Sequence, residues 1–310
     1  MNSEHEVANS PSVSKVAQGI RRRVLEHTIA HSGGYLSQAC SSAEIFASLY
    51  TTLMRLGPSQ APRIPVPFGG VPGAGNVKAL TGAAYNGPQS PDLDRFIMSP
   101  VHYALVLYAT LVEVNRMGSE GLAQFNRDGS SVEMIGAEHS PGHEVTAGSL
   151  GQALSQAGGI ALARKLRRDT GQVWVFMSDG EFQSGQTWET LQALRFHKLE
   201  NIIVIVDVNQ QQCDGAMADV MNIEPLLDRV KSFGVHGVKV DGHDPDALAN
   251  AVRLPCTDRP LIILAYTNPC QGVPLLEERR PKLHYLRFKN PEERAQYQLF
   301  LEQQIRSGIW

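Results

Sequence analysis

The apolar positions of this chain follow two regimes. In the first they recur at helical spacing. Val13, Val16, Ala17, Ile20, Val24 and Leu25 lie on one helical face, which predicts a helix from 13 to about 30, with Ser12 placed to cap it. HSGGYLSQACSS then reads as a turn region rich in glycine and serine, and 42 to about 54 as a second helix. LDRFIMSP reads as a loop, and helical spacing returns over 101–115. In the second regime, helices alternate with short apolar runs. VWVFMS (173–178), NIIVIVDV (201–208), VHGVKVDG and PLIILAYT read as strands. GSLGQALSQAGGIALARKLRR, GQTWETLQALRFHKL (185–199), IEPLLDRVKSFG and PDALANAVRL read as helices, the third ending at Gly234 as its C-cap. Apolar strands separated by helices of this length make βαβ units. The predicted fold is α/β, three layers deep, with a mostly parallel central sheet flanked by helices.

Two stretches break the pattern. Residues 57–91 hold seven prolines and seven glycines and no long periodic segment. Proline removes donors and glycine relaxes the backbone, so this is a long irregular loop, either functional or a surface insertion. Residues 118–142 are mixed. The expected organisation is a flexible tail over 1–12, one domain over 13–275, and a charged extension over 276–310 packed on the domain or on a partner.

Composition narrows the function classes. With 42% hydrophobic residues, 19% charged residues and a net charge of −3, nothing points to a large nucleic-acid surface. The four cysteines, Cys40, Cys213, Cys256 and Cys270, lie far apart without a CxxC pair, which argues against a disulfide framework or a zinc site. The N-terminus is polar, and no run approaches the ~18 apolar residues of a membrane span. A cytoplasmic protein with no membrane partner is expected.

The sharpest local feature is Ser178-Asp179-Gly180, directly after a strand. Asn209 follows the next strand, thirty residues on. Ligands of parallel sheets sit at the carboxyl ends of strands. Asp179 and Asn209 occupy two such ends and supply hard oxygen ligands, suited to magnesium, with calcium or manganese as substitutes. A carbonyl near Gln211 offers a third ligand, and Gly180 allows close approach of a diphosphate. A DG pair after a strand is often a simple turn; Asn209 is what raises it above that. GSLGQ (148–152) adds a glycine turn entering a helix N-terminus, a place for a polar or anionic ligand as well as a tight packing turn.

These residues resemble a known family. SDGEFQSGQTWE followed by NIIVIVDVNQQQCDG is similar to the thiamin diphosphate signature of transketolases. Four further stretches agree in order and spacing: RRRVLEHTIAHSGGYLSQACSSAEIFASLY, DRFIMSPVHYALVLYA, PGHEVTAGSLGQAL and FGVHGVKVDGHD. The resemblance spans roughly 15–275 and is specific to the diphosphate-binding domain. It implies thiamin diphosphate and Mg2+ as cofactors, with Asp179, Asn209 and the Gln211 carbonyl as metal ligands. It implies Gly180 and Glu181 in the phosphate loop, Ser149 and Leu150 at the aminopyrimidine, and His102 facing cofactor and substrate. Asp207 would at most order its loop. Glu189 matches one member of an acidic network between the paired cofactors.

The resemblance also has gaps. Tyr35 falls where the family has a substrate-contacting histidine. Ala137 follows the glycine of a motif that normally continues with histidine, leaving His139 and His143 as nearby candidates. Ser184 replaces the other glutamate of the acidic network. His284 lies about where the family has a further histidine. The resemblance ends after the first domain. It therefore implies a separate C-terminal transketolase-like subunit, supplying the pyrimidine-binding domain and its activating glutamate in an α2β2 heterotetramer. The leading expectation is transfer of a two-carbon ketol unit from a ketose to an aldehyde. A carboligase or decarboxylase using pyruvate or another 2-oxo acid, and a non-catalytic structural or regulatory subunit, are the alternatives.

Overall fold

The structure, a computed structural model, describes residues 11–310. The expected tail falls almost entirely outside them. Five strands make one sheet: β1 Arg95–Met98, β2 Val173–Ser178, β3 Ile202–Val208, β4 His236–Asp241 and β5 Leu261–Tyr266. Their spatial order is β1-β2-β3-β5-β4, and every neighbouring pair is parallel. Beside two single-turn helices, Ser119–Leu122 and Met217–Val220, the helices of the described residues are α1 Val13–Ala30, α2 Leu36–Ser48, α3 Ala104–Glu113, α4 Gln152–Arg167, α5 Gly185–Phe196, α6 Leu226–Ser232, α7 Pro245–Val252 and α8 Pro291–Arg306.

Strand alternation separates two cores. Phe96, Trp174, Phe176, Ile203, Ile205 and Ile263 face α1, α2, α3, α7 and α8. Ile97, Val173, Val175, Val204, Val206 and Ile262 face α4, α5 and α6. Burial on both faces explains why these strands are continuous apolar runs. The predicted three-layer α/β fold is present.

Three local expectations need correction. LDRFIMSP is not simply a loop, because its RFIM portion is the edge strand β1, in register with β2 from Arg95↔Val173 to Met98↔Phe176. Asp94 anchors its start, accepting from Trp174 Nε1 at 2.9 Å, Gln172 N at 2.8 Å and Arg55 N at 2.8 Å. The second helix begins at Leu36 rather than 42. Its polar first turn is buried, and burial is tolerated because Ser37 donates to the Leu283 carbonyl at 2.6 Å and Ser42 to the Gln38 carbonyl at 2.6 Å. The 101–115 helix divides into a 3₁₀ turn, Val101–Tyr103, and α3.

The cap at Ser12 is as expected, accepting from Lys15 N at 3.3 Å. Gly234 has φ +75° just beyond α6, as a helix-ending glycine requires. The 57–91 stretch is irregular apart from a 3₁₀ turn at Gly82–Tyr85 and a bridge between Gly73 and Asn76. It is nonetheless laced down, with Gly118 N donating to the Arg63 carbonyl at 2.7 Å and Phe68 N to the Gly129 carbonyl at 2.8 Å. The C-terminal segment packs on the same molecule. Leu286–Arg287 pairs antiparallel with Gly33–Gly34, and Tyr297 and Leu301 of α8 are buried in the core that holds α1.

Candidate functional site

The rim at the carboxyl ends of the strands carries the candidate site. Ser178 and Asp207 are register partners on β2 and β3, which puts Asp179 and Asn209 side by side just past the strand ends. A cavity of about 150 Å³ opens here, and His102, Leu150, Asp179, Gly180, Asn209, Gln211 and His284 line it together with Tyr103, Gln212 and Cys213. Six predicted site residues therefore converge, with His284 as a seventh that the resemblance had placed only roughly.

Asp207 organises this corner. It is fully buried and accepts from Tyr103 Oη at 2.7 Å, Ser41 Oγ at 2.5 Å, Thr267 Oγ1 at 2.5 Å and Asn209 Nδ2 at 3.2 Å. Asn209 Nδ2 also donates to Tyr103 Oη at 2.9 Å. Both amide hydrogens thus point into the protein, which leaves Oδ1 on the other side, where it accepts from Gln211 N at 2.9 Å. Asp179 is buried and accepts from Gln210 N at 2.7 Å. Gln210 adopts φ +59° to deliver that donor.

The electrostatics fit a divalent cation. Burial, then the neighbouring Asp207, push the Asp179 carboxyl well above the usual range. Burial likewise raises Asp207, against the hydroxyl and amide donors that lower it. The donors that reach the two carboxylates are hydroxyls, the Asn209 amide and a backbone N–H. A cation held by Asp179 Oδ and Asn209 Oδ1 would relieve this uncompensated charge. Among the described residues no three His, Cys, Asp or Glu side chains cluster to hold a metal. A set of one carboxylate, one amide and one backbone carbonyl has a different composition.

Glu181 staples two turns. Its carboxylate accepts from Ser178 N at 2.8 Å, Gly151 N at 2.9 Å and the Ser99 hydroxyl. The first contact closes a capping box on the Asp179 turn. The second fixes the 148–151 turn against it. Gly151, at φ +80°, has no room for a Cβ, which would meet Thr187 Oγ1 at 2.7 Å. Burial raises the Glu181 pKa despite these donors.

Aromatic rings form the far wall. The His102 ring lies 4.9 Å from His284 and 6.1 Å from Tyr35, centre to centre. Tyr35 also meets His284 at 5.5 Å and Tyr285 at 4.9 Å, both edge-on. Burial, then His284, lower the His102 pKa to about 3, so its imidazole is neutral at physiological pH. Burial, then Tyr285 and Cys213, raise that of Tyr35.

Four predicted residues lie elsewhere. His139 lines a different cavity, against Phe68. His143 is buried beside Tyr108. Glu189 is exposed on α5, facing a cleft shared with α4. Ser149 is exposed on the turn next to Leu150 and is not among the lining residues. Conversely, sequence reasoning missed Tyr103, Ser41, Thr267 and Gln212. Tyr103 sits in an apolar run and reads as core, and the hydroxyls gain meaning only once Asp207 is seen at the centre. Gln212 is what crowds Gly180, its Nε2 lying 2.7 Å from where a Cβ would stand.

A parallel three-layer sheet with a carboxylate and an oriented amide at adjacent strand ends defines the class, an α/β protein whose candidate site lies at the carboxyl edge of its sheet. Residues 77–293 match the family model for the transketolase, thiamine diphosphate binding domain, and the chain belongs to the transketolase family. It is 34% identical over 295 residues to the transketolase family protein y4mO of Sinorhizobium fredii, covering 94% of this chain and 95% of that one. It is 28% identical over 264 residues to the 6-deoxy-6-sulfo-D-fructose transketolase subunit SqwG of a Clostridium species, covering 84% and 86%. It is 26% identical over 259 residues to one subunit of the apulose-4-phosphate transketolase of Phocaeicola vulgatus, covering 83% of each. A transketolase structure from Pichia stipitis superposes with a TM-score of 0.71 at 22% identity, covering 96% of this chain and 45% of that chain, which supports the fold. Among the described residues no helix is long and apolar enough to cross a membrane.

Proposed function

We propose that this chain is the diphosphate- and metal-binding subunit of a two-subunit transketolase, transferring a two-carbon ketol unit from a ketose to an aldehyde. The observation that carries it is the Asp179–Asn209 pair, with Asn209 Oδ1 turned away from the buried Asp207–Tyr103 network. Relatives of matching length named as transketolase subunits support the two-subunit reading. The partner would bring the pyrimidine-binding domain and an activating glutamate, in an α2β2 assembly.

In this reading Asp179, Asn209 and the Gln211 carbonyl hold Mg2+, for which Ca2+ or Mn2+ substitutes, and Gly180 lets phosphate oxygens approach its amide. Thiamin diphosphate, when bound, supplies the carbon nucleophile and electron sink. Leu150, 42% exposed beside the cavity, offers an apolar surface to a ring. Glu181 holds the Leu150 turn at a fixed distance from the metal turn. Neutral His102 and His284 present ring nitrogens that donate to or accept from substrate oxygens without adding charge. Burial lowers the pKa of His284 as well.

Tyr35 favours keeping one alternative in the test. It puts an aromatic ring among the two histidines and Tyr285, where a phenol is not a base near neutral pH. The chain co-purified with its partner should form product from a ketose phosphate and an aldehyde. Turnover of pyruvate alone would replace the ketol reading with 2-oxo acid chemistry, and metal-dependent cofactor binding without turnover of either would make this a non-catalytic subunit.

A further inference from the structure

Asp207 orients Asn209, and one of its donors comes from beyond β5. Thr267 directly follows that strand and gives its hydroxyl to Asp207 Oδ1 at 2.5 Å. Its own N–H is bonded to the Val208 carbonyl at 3.1 Å. Thr267 and Asn268 face Asn209, Gln210 and Gln211 across a cavity of about 400 Å³. Where Thr267 stands therefore bears on the whole strand-end corner.

The turn from β4 to α7 grips Thr267 and Asn268 together. Gly242 N donates to the Tyr266 carbonyl at 2.9 Å. Gly242 has no room for a Cβ, which would run into the Thr267 methyl. That methyl fills the space the glycine leaves, and in a stiff β-branched side chain this aims the hydroxyl at Asp207. His243 holds the next residue, its Nε2 accepting from Asn268 N at 2.8 Å. A ring nitrogen that accepts carries no hydrogen, so the hydrogen sits on Nδ1, which donates to Glu44 Oε2 at 2.9 Å. Arg21 fixes Glu44 with two hydrogen bonds, at 2.7 and 2.5 Å. Ser41 and Glu44 lie three residues apart on one face of α2, and Ser41 also donates to Asp207. One helix thus supports Asp207 directly through Ser41, and at a distance through Glu44, His243 and the 267–268 backbone.

We propose that His243 is a positioning residue of the strand-end site: through the Asn268 amide it holds the Thr267 hydroxyl on Asp207, and so keeps Asn209 Oδ1 turned toward the cation. The proposal rests on the thiamin diphosphate reading for that cation alone. His243 does not line the strand-end cavity and acts only through the loop. Without His243 the Asn268 N–H loses its acceptor, and Thr267 keeps only its own bond to Val208 and the packing on Gly242.

The test is a double-mutant cycle between His243 and Thr267 in the chain with its partner subunit. It is read twice, by calorimetric titration of Mg2+ in the presence of thiamin diphosphate and by urea unfolding of the chain. His243→Leu should weaken Mg2+ binding about fivefold, less than the loss of a group directly behind a metal ligand. His243→Gln should restore most of it, since its amide oxygen accepts from Asn268 N and its amide nitrogen donates to Glu44. Thr267→Val removes the hydroxyl, and in that background His243→Leu should cost no further Mg2+ affinity while still lowering stability. Additive losses of Mg2+ affinity, or a His243→Leu variant that loses stability alone, would overturn the proposal and leave His243 a structural contact. A parent that binds no Mg2+ would sink the cofactor reading instead. The unfolding cycle then still reads the link itself, and strictly additive stability losses would overturn it.

Discussion

Tyr103 Oη accepts a hydrogen bond from Asn209 Nδ2 at 2.9 Å while donating its own hydrogen to Asp207 at 2.7 Å. This buried hydroxyl, together with Asp207 and the Gln211 amide, sets which end of the Asn209 amide faces the cavity. Tyr103→Phe removes one of the three contacts that orient the amide and should lower Mg2+ affinity up to about tenfold, in the range seen when groups behind a metal ligand are removed. Asn209→Asp in the same background should restore part of the affinity, because a carboxylate presents oxygen either way round. Magnesium titrations followed by cofactor binding would measure both.

Glu181 carries the geometry between the Asp179 turn and the Leu150 turn. Glu181→Ala strands the N–H groups of Ser178 and Gly151 and the Ser99 hydroxyl inside the protein. Stability should fall by about 3–5 kcal/mol in urea unfolding. Glu181→Gln keeps one acceptor oxygen, which in the Oε1 position still serves both Gly151 N and the Ser99 hydroxyl, and should lose less. Equal losses in the two variants would show that the carboxylate is not the staple.

The predicted sheet and the Asp179–Asn209 pair were legible because strands buried on both faces read as unbroken apolar runs, and their ends are marked by DG and DVN. Strand β1 was not, since four residues leaving a proline-rich stretch give too little pattern; only pairing with β2 makes RFIM a strand. The start of α2 was hidden because Ser37, Gln38, Ser41 and Ser42 look like turn residues, and what buries them is tertiary: the Leu283 carbonyl and Asp207. His139 and His143 are near the site's motif in sequence, but the backbone turns between them. Ser140 lies between the two, with His143 N donating to its carbonyl at 3.0 Å, and the two imidazoles end in different surroundings.

Acid should destabilise the protein in two windows. Burial lowers the His143 pKa from the ordinary 6.5 to about 4. The unfolded chain therefore binds this proton first: the stabilisation is complete above pH 6.5 and is lost as pH falls toward 4, about 3 kcal/mol in all. Glu44 comes next. Burial raises it, but hydrogen bonds from His243 and Arg21 prevail and hold it at about 2 against the ordinary 4.5. Its contribution is complete above 4.5 and lost as pH falls toward 2. His143→Gln should shrink the upper window, to which the buried His27 and His102 also contribute, and leave the lower one unchanged in denaturation curves collected from pH 7.5 to 2.

The C-terminal helix α8 should count toward domain stability. Leu301→Ala empties a site in the core shared with α1 and should cost about 2–4 kcal/mol. Tyr297→Phe removes a buried hydroxyl without a partner and should be neutral or mildly stabilising. Thermal unfolding of the two variants would read the contrast.

Asp179 and Asn209 as the clamp of a metal that holds thiamin diphosphate is the central claim. Calorimetric titration of thiamin diphosphate into the chain with its partner subunit, in Mg2+ and then in EDTA, tests it directly. The expected result is saturable binding that EDTA abolishes and that Asp179→Ala weakens at least tenfold, about 1.4 kcal/mol or more. Equal affinity in Mg2+ and EDTA, or an Asp179→Ala variant that binds as the parent does, would contradict it.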